Sequence, residues 1–353
     1  MFLSVPAMMM RGGTSRAMYF LKSDLDATHA DLDELLPAVM GSPDQLQIDG
    51  LGGGSPTTSK VAIVSPSREP DCDVDYLFAQ VRPGAIGVDW KPTCGNVLVG
   101  VAPFAIERGL VGSRGAQTPV RVRLVNTGAR VECVVNTPSG QVEYAGSRHI
   151  SGLTRPAAPV SLAFREFAGG TTGSLFPAGS RQGCVDGVPF TAIDACVCAV
   201  LLRATDLGLT GAESAAALNE DSMLLRRIET LRRAIGERMG LGDVSGSVLP
   251  KVMVLSAGAD GAIRSRYFVP DQCHPAHAVS GAICLASAAA LPGTLAAELV
   301  PSRATSVVVE HPSGSLTVGI DVDGGSPTVA RVERTARKLF DGTVFAQVGR
   351  LAS

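Results

Sequence analysis

The fold is decided by a stretch that the chain contains twice: Ser59-Lys60-Val61-Ala62-Ile63-Val64-Ser65 and, 191 residues later (251 minus 60), Pro250-Lys251-Val252-Met253-Val254-Leu255-Ser256. Each is a short run of apolar and β-branched residues after turn-forming residues, which is typical of a strand. Each also follows a Gly-Leu-Gly sequence, at residues 50–52 and 240–242. The recurrence predicts two copies of one structural unit.

Other features of the two halves recur in the same order and at nearly the same offset. The matched pairs are the hairpin starts Val5-Pro6 and Val188-Pro189, the helical stretches 31–40 and 212–238, the small-residue helices 95–107 and 276–290, and the glycine-closed hairpins 120–135 and 306–322. Any single match could arise by chance, but a series in constant order indicates an internal duplication.

The two small-residue helices are apolar on nearly every face and therefore have to be enclosed. We predict an α+β fold with two pseudo-symmetric domains, each a curled antiparallel β-sheet around a central buried helix. The Gly- and Pro-rich stretch 168–183 places the domain boundary near residue 183. The expected domains are 1–183, which contains Lys60 and Cys94, and 184–353, which completes a cleft between the two copies.

The composition excludes several classes of protein. With 45% hydrophobic residues and a net charge of -2, the chain carries no excess of either charge, so a surface for nucleic acid is not expected. The apolar start of the chain precedes Arg11 instead of following it, which is the wrong order for a signal peptide, so we expect a cytoplasmic protein without membrane association. The 8 cysteines contain no CxxC pair and histidines number only 5, so we expect reduced thiols and no metal.

Two residues of the first copy are candidates for acid and base. Cys94 lies directly before the first small-residue helix, where the helix dipole favours a thiolate. The alternative is a small buried cysteine in a turn, but the polar, glycine-containing entry at residues 92–96 favours the functional role. Lys60 follows the Gly- and hydroxyl-rich loop 52–59 and enters an apolar strand, where desolvation favours the neutral amine that a base requires. The alternative is that Lys60 is a solvated lysine at a strand edge. Lys251 stands at the equivalent point of the second copy, which favours a position in the cleft for both lysines.

Further polar groups are candidates for binding a carboxylate. The loop Arg11-Gly12-Gly13-Thr14-Ser15 combines a cation, two glycines and two hydroxyls, which suits a carboxylate as well as a plain hairpin turn. His274 precedes the second small-residue helix, and His311 lies just before a hairpin turn. The Gly-rich loop lacks glycine before Lys60 and the last glycine of the dinucleotide pattern, so nucleotide binding is not expected.

Several motifs together resemble a known family, the 2-methylaconitate isomerases and 4-oxalomesaconate tautomerases. The motifs are Met10-Arg11-Gly12-Gly13-Thr14-Ser15, Val39-Met40-Gly41-Ser42-Pro43, Gln47-Ile48-Asp49-Gly50, Ser59-Lys60-Val61, Thr93-Cys94-Gly95-Asn96, His311-Pro312-Ser313-Gly314 and Arg334-Thr335-Ala336-Arg337. The resemblance spans nearly the whole chain and implies the diaminopimelate-epimerase-like fold, in agreement with the duplication. Val74 to Val81 and Val142 to Gly146 are most similar to the 4-oxalomesaconate tautomerase or Δ-isomerase branch.

The resemblance implies that Lys60 and Cys94 are the acid/base pair of a cofactor-independent isomerase that moves a proton within an unsaturated polycarboxylate. The expected substrate is 4-oxalomesaconate, in the breakdown of gallate- and lignin-type aromatic acids, with 2-methylaconitate of propionate catabolism as the alternative. The sequence leaves a homodimer open. The expected substrate-binding residues are Arg11, Thr14, Ser15, Ser55, Thr58, Ser59, Gly95, Asn96, Lys251, His274, His311 and Ser313.

Two rival functions differ in what they require of the residues. A two-thiol racemase or epimerase would use Cys94 and Cys273 on opposite faces of an amino acid, so loss of either thiol would abolish activity. A non-catalytic partner of a separate dehydratase would not need Lys60.

Overall fold

A computed structural model describes residues 2–269, 272–301 and 304–349. The chain forms two compact units, one made of Met1–Ala163 with Glu333–Ser353 and the other of Phe164–Val332. These units differ from the predicted domains at two places. Residues 164–183 belong to the second unit, where Ala168 bridges Ala195. The C-terminal residues belong to the first unit because their long strand pairs with the first strand of the chain.

The first unit contains one sheet, three helices and the second half of a strand that begins in the other unit. Its elements are β1 (Phe2–Gly12), β2 (Ser15–Leu21), α1 (Lys22–Asp26), α2 (Leu32–Met40), β3 (Lys60–Pro66), β4 (Val74–Val81), β5 (Val88–Asp89), α3 (Gly95–Glu107), β6 (Gln117–Leu124), β7 (Arg130–Asn136) and β8 (Pro159–Arg165), whose last two residues belong to the second unit. Strand β1 forms antiparallel pairs both with β2 and with residues 336–347.

The second unit repeats this plan. Its elements are β9 (Gly183–Val185), β10 (Val188–Ala195), β11 (Val197–Arg203), α4 (Ala215–Glu220), α5 (Ser222–Arg238), β12 (Lys251–Ala257), β13 (Ile263–Phe268), α6 (Val279–Ala289), β14 (Ser306–His311), β15 (Gly314–Asp323) and β16 (Ser326–Gln347), of which residues 326–332 pair with β15. The pairing types also repeat: β2–β3 and β11–β12 are parallel, and β3–β4 and β12–β13 are antiparallel.

The predicted α+β class and the duplication are therefore confirmed. Each sheet contains parallel pairings among its described strands, β2–β3 and β4–β6 in the first unit and β11–β12 and β13–β14 in the second. Helices lie in the connections between these strands, as α1 and α2 do between β2 and β3. Two parallel strands can be joined only by a crossover connection, and these helices supply it. The sheets are therefore mixed and not purely antiparallel.

Each sheet wraps one apolar helix, as the sequence predicts. In the first unit α3 contacts strands β1, β2, β3, β4, β6 and β7, and residues Val97 to Ala105 are all buried. In the second unit α6 contacts β10, β11, β14 and β15. The other face of the first sheet is covered by α2, where Met18, Phe20, Val61 and Ile63 join the same core cluster as Leu35 and Leu36. Alternate residues on each strand therefore face α3.

Gly100 sets how closely α3 approaches the sheet. A Cβ at this position would lie 2.4 Å from the hydroxyl oxygen of Tyr19, which is buried and donates a hydrogen bond of 2.6 Å to the Val97 carbonyl. A tyrosine side chain enclosed in this way has little room to move.

We expect Gly100→Ala to lower the free energy of unfolding by about 1 to 3 kcal/mol through overpacking, although alanine is the better helix former by about 1 kcal/mol. Urea denaturation measures the change. Gly112→Ala is the matched control, since a Cβ there meets nothing within 4 Å. A gain in stability for Gly100→Ala would show that α3 is packed less tightly than described.

Candidate functional site

Lys60 opens β3 on the face of the sheet that looks toward α3. Its parallel partner Ala17 lies two residues before Tyr19, which contacts α3, so Ala17 and Lys60 share that face. The ammonium nitrogen of Lys60 donates a hydrogen bond of 2.7 Å to Gln80 Oε1 and lies 5.0 Å from the centroid of the Phe78 ring. An amide and an aromatic face thus hold the amine without a neutralising carboxylate in these contacts.

The residue before Lys60 anchors the glycine-rich loop. Ser59 is fully buried, its hydroxyl accepts a hydrogen bond of 2.7 Å from Gln47 Nε2, and its carbonyl accepts one of 2.7 Å from Gln80 Nε2. Gln47 Oε1 accepts the backbone N-H of Gly54 at 3.1 Å. Gln47 and Gln80 therefore hold the side chain and the carbonyl of Ser59, the residue directly before Lys60.

The other hydroxyls of this loop bond to one another. Ser55 Oγ lies 2.9 Å from Thr58 Oγ1 and 3.0 Å from Thr57 Oγ1. A substrate would have to replace these internal hydrogen bonds in order to bind Ser55 or Thr58. Their role as substrate ligands therefore stays a prediction.

Cys94 is the N-cap residue of α3, with extended backbone and no hydrogen bond from its side chain to the helix. Its side chain is partly exposed, and its carbonyl accepts a hydrogen bond of 3.3 Å from the Tyr76 hydroxyl. The thiol thus begins the helix as the sequence predicts, beside the N-H groups of Gly95 and Asn96, which have no partner inside a helix. This end of α3 carries the positive end of the helix dipole.

Strand β4 connects the surroundings of Lys60 to those of Cys94. Tyr76, Phe78 and Gln80 alternate along β4 and therefore share one face. Gln80 binds Lys60, Phe78 lies under it, and Tyr76 binds the Cys94 carbonyl. The Tyr76 and Phe78 rings meet edge to face with centroids 6.5 Å apart. Lys60 and the N-terminus of α3 thus belong to one continuous set of contacts within the first unit.

The β1–β2 turn packs directly on the first turn of α3. A Cβ at Gly12 would lie 2.3 Å from the Asn96 carbonyl oxygen, and one at Gly13 would lie 2.1 Å from Asn96 Oδ1. Asn96 Nδ2 donates a hydrogen bond of 3.1 Å to Thr14 Oγ1. Ser15, cross-strand partner of Gly12, is buried on the same face. The turn glycines are needed because only a bare backbone can approach the helix this closely.

The guanidinium of Arg11, which lies just before this turn, forms hydrogen bonds to other residues of the chain. Its Nη1 donates hydrogen bonds to the carbonyl and hydroxyl oxygens of Thr335 and to the Gly13 carbonyl. Burial and the neighbouring Arg337 guanidinium lower the pKa of Arg11. As the neighbour of Gly12 on β1, Arg11 points to the opposite face of the sheet from α3. Its role in carboxylate binding stays a prediction.

The candidates of the second copy lie in the second unit. Lys251 opens β12 as Lys60 opens β3, and burial, with a smaller effect of Arg232, lowers its pKa to about 8. His274 Nδ1 accepts the N-H of Ala276 at 2.9 Å, and His311 Nδ1 accepts that of Ser313 at 3.3 Å. Ser313 Oγ donates to the Pro275 carbonyl. The two histidines thus shape local turns, Ser313 makes a long-range contact with Pro275, and the ligand contacts of all three stay predictions.

Cys273 is not the counterpart of Cys94. The N-cap of α6 is Ala278, five residues after Cys273 (278 minus 273). Cys273 is buried, and burial raises the pKa of its thiol to about 11. A thiol in that state is a poor acid/base partner near neutral pH, which disfavours the two-thiol racemase.

A cavity of about 600 Å³ in the first unit lies away from these residues. It is lined by α1 and by parts of β3 and β4, including Ser65, Asp75 and Leu77. Two pairs of its charged groups form ion pairs, Lys22 with Asp26 and Arg123 with Asp75, and its lining contains neither Lys60 nor Cys94. We therefore do not assign the site to this cavity.

Two further properties concern the whole of the described chain. Within residues 2–269, 272–301 and 304–349, no three His, Cys, Asp or Glu side chains gather as metal ligands would. None of the helices in those ranges combines the length and the apolar character needed to cross a bilayer.

Sequence reasoning missed Gln80, Tyr76 and Tyr19 as parts of the site. A signal for the first two was present, since Tyr76, Phe78 and Gln80 alternate on a strand predicted to follow the Lys60 strand. Their contact with Lys60 and Cys94 depends on the register Lys60↔Gln80, which the pattern alone does not determine. Burial and the nearby Cys94 raise the pKa of Tyr19, which is therefore a neutral hydrogen-bond donor.

Comparison with known proteins identifies the class to which this fold and site belong. The family described as "PrpF protein" matches residues 2–347, and the chain belongs to this family. The chain also has the fold of a hydroxyproline epimerase from Agrobacterium vitis, with a TM-score of 0.55 and 15% identity over 99% of this chain and 94% of that one. The predicted family and epimerase-like fold are confirmed.

More similar proteins are isomerases. The chain is 46% identical to a 4-oxalomesaconate tautomerase of Pseudomonas putida, over 96% of this chain and 95% of that protein. It is also 46% identical to a (4E)-oxalomesaconate Δ-isomerase of Novosphingobium, over 97% of each. The crystal structure of a methylitaconate Δ-isomerase matches with a TM-score of 0.90 and 29% identity, over 100% of this chain and 99% of that one. The prediction of an isomerase is confirmed.

The cysteines differ in exposure, and this predicts their order of reaction. We expect Cys184, which is exposed, and Cys94, which is partly exposed, to be alkylated first in the native protein. Cys196 is partly exposed like Cys94, but it should react slowly because desolvation of its thiol and the nearby Asp194 raise its pKa to about 12, and only the thiolate attacks. Peptide mass spectrometry after timed iodoacetamide treatment measures the order, with Cys184→Ser to isolate Cys94. Labelling of Cys273 ahead of Cys94 would contradict the assignment.

Lys251 should lower the free energy of unfolding of the protein at neutral pH. Its pKa is about 8 in the folded protein against an ordinary 10.5, so the folded state binds its proton less readily than the unfolded state does. We expect Lys251→Met to raise the free energy of unfolding at pH 7 by about 1 to 3 kcal/mol, and this gain to shrink as the pH rises from 8 to 10.5. Urea denaturation at pH 7 and pH 10 measures it. A gain independent of pH would mean that packing, and not charge, is responsible.

Proposed function

We propose that this protein catalyses a 1,3-allylic proton shift in an unsaturated polycarboxylate, with Lys60 and Cys94 as the acid/base pair. The observation that carries the proposal is the continuous set of contacts from Lys60 through Gln80, Phe78 and Tyr76 to the N-cap Cys94. An amine and a thiol at the positive end of a helix are suited to move a proton on a bound anion.

The chemistry follows from the roles that these groups can take. The amine of Lys60 acts as the base that removes a proton next to a carbonyl or vinylogous carboxylate, and the electron pair spreads into a dienolate. The thiol of Cys94 delivers a proton to the far end of the allyl system, which moves the double bond. The backbone N-H groups of Gly95 and Asn96 are placed to stabilise the delocalised negative charge, and such donors supply much of the rate enhancement in oxyanion sites. No redox step occurs.

The proposed substrate is 4-oxalomesaconate, because two relatives that match nearly the whole chain are named for it. The alternative from the sequence, 2-methylaconitate, requires the same proton transfer on a smaller tricarboxylate. We further propose a cytoplasmic enzyme of aromatic-acid breakdown that acts on this small molecule. The pairing of copies of the chain as a homodimer also stays a proposal.

Substitution of either acid/base residue should remove the activity. We expect Lys60→Met and Cys94→Ser each to lower kcat by about 10²- to 10⁴-fold, the range of general acid–base catalysis. Lys22→Met and Cys184→Ser are matched controls, since Lys22 pairs with Asp26 at the surface and Cys184 is exposed. Ultraviolet absorbance of the conjugated acid follows the reaction. Near-normal turnover by Lys60→Met would contradict the mechanism, and no turnover by the unaltered protein would favour the non-catalytic rival.

The same reaction in deuterated water identifies the substrate and the atoms involved. Each of the two acids is incubated with the purified protein, and its vinyl and allylic protons are followed by NMR. We expect deuterium at one allylic carbon of 4-oxalomesaconate. Exchange only with 2-methylaconitate would replace the substrate but keep the reaction. Exchange with neither acid would overturn the proposed function.

A further inference from the structure

Arg334 is a buried cation whose charge no carboxylate of the described chain balances. Its side chain is 3% exposed, and its Nε has no hydrogen-bond partner among the residues that the structure describes. Burial alone lowers its pKa to about 10, with no contribution from a neighbouring acid. An uncompensated buried charge is unfavourable, so an anion from outside the chain would complete this position.

The register of β16 places Arg334 on the face of the sheet that looks toward α3. Ala336 pairs with Gly12, and residues directly opposite in an antiparallel pair point to the same side. Gly12 faces α3, because a Cβ there would meet the Asn96 carbonyl. Arg334 lies two residues from Ala336 on the same strand and therefore shares its face. The N-H of Gly13 bonds to the Thr335 carbonyl at 3.0 Å, so β16 still runs beside the β1–β2 turn at this point.

A second polar group near this turn also lacks a partner. Asn96 Oδ1 is buried without a hydrogen bond in the described part of the chain, although Asn96 Nδ2 donates to Thr14. The first turn of the 13-residue helix α3 adds backbone N-H groups that have no partner inside the helix. The region therefore offers several donors and one acceptor. A carboxylate that carries a neighbouring hydroxyl, as an enol acid does, has the complementary groups.

We propose that Arg334 binds a carboxylate of the substrate at the N-terminus of α3, beside Asn96. This assignment rests on the proposed function for the class of substrate. It differs from the sequence-based choice of Arg11, whose guanidinium is bonded to Thr335 and Gly13 and whose side chain leaves β1 on the opposite face from α3. A carboxylate held by Arg334 positions the adjoining carbon near the end of α3 that Cys94 caps. A guanidinium can bind both oxygens of that carboxylate, which fixes its orientation.

Binding of an unreactive tricarboxylate tests the assignment without catalysis. Propane-1,2,3-tricarboxylate has no double bond, and its affinity for the intact protein is measured by isothermal titration calorimetry. We expect Arg334→Met to raise its Kd about 10- to 100-fold, as loss of a charge-assisted hydrogen bond does, and Arg334→Lys to have a smaller effect. Arg337→Met is the matched control, because Arg337 is exposed on the opposite face of the same strand, and its Kd should change less than about twofold.

Kinetics and stability separate a binding role from a structural one. In Arg334→Met we expect KM for 4-oxalomesaconate to rise with the Kd and kcat to fall less, because the carboxylate is bound in both ground and transition states. We also expect its melting temperature to equal or exceed that of the unaltered protein, since a buried unpaired charge is replaced by an apolar side chain. A variant that no longer folds, or one that folds and binds the tricarboxylate normally, would overturn the proposal.

The outcomes also separate this inference from the proposed function. Normal tricarboxylate binding by Arg334→Met would remove Arg334 from the site and leave the isomerase reaction intact. Failure of the unaltered protein to exchange protons of either acid would overturn both, whereas proton exchange without binding of the tricarboxylate would overturn only the assignment of Arg334. A higher Kd for the tricarboxylate and a higher KM in Arg334→Met, with both values unchanged in Arg337→Met, support the assignment of Arg334 and the proposed function.

Discussion

The site depends on the close approach of the first turn of α3 to the β1–β2 turn. Gly12 and Gly13 leave no side chain between the two, so the Asn96 backbone and amide lie directly against them. This contact holds Cys94 at the helix start, and Thr14 fixes the Asn96 side chain through its amide nitrogen. An apolar helix enclosed by a sheet can have a polar N-terminus only if some element accommodates it, and here that element is a pair of glycines.

Duplication of the fold does not duplicate the chemistry. Both copies begin an equivalent strand with a lysine, Lys60 and Lys251, yet Lys60 bonds to Gln80 while burial lowers the pKa of Lys251 to about 8. The helix of the first copy is capped by Cys94 and that of the second by Ala278. The shared architecture therefore supplies equivalent positions, and the side chains placed there decide which copy carries acid/base groups.

The fold could be read from the sequence because its signals are local and occur twice. The β-branched run after Lys60 and the apolar helix 95–107 each predict their own structure, and the second copy confirms each assignment. The partners in the site could not be read, since Gln80 and Tyr76 reach Lys60 and Cys94 through strand register. The same limit explains why the sequence pointed to Arg11 and did not single out Arg334. Neighbouring residues of a strand point to opposite faces, and only the pairing of β1 with β16 shows which face of the sheet looks toward α3.

Stability and function place opposite demands on the polar groups beside α3. Within the described chain, Arg334 Nε and Asn96 Oδ1 are buried without hydrogen-bond partners, and each loses hydration on folding without a compensating contact. A folded protein made only for stability would pair them or replace them with apolar side chains. A binding site must instead keep such groups unpaired until its ligand arrives, because groups already bonded to each other have to be separated before they can bind it. The hydroxyls of Ser55 and Thr58, which bond to one another, illustrate the contrasting case of a polar cluster satisfied without any ligand.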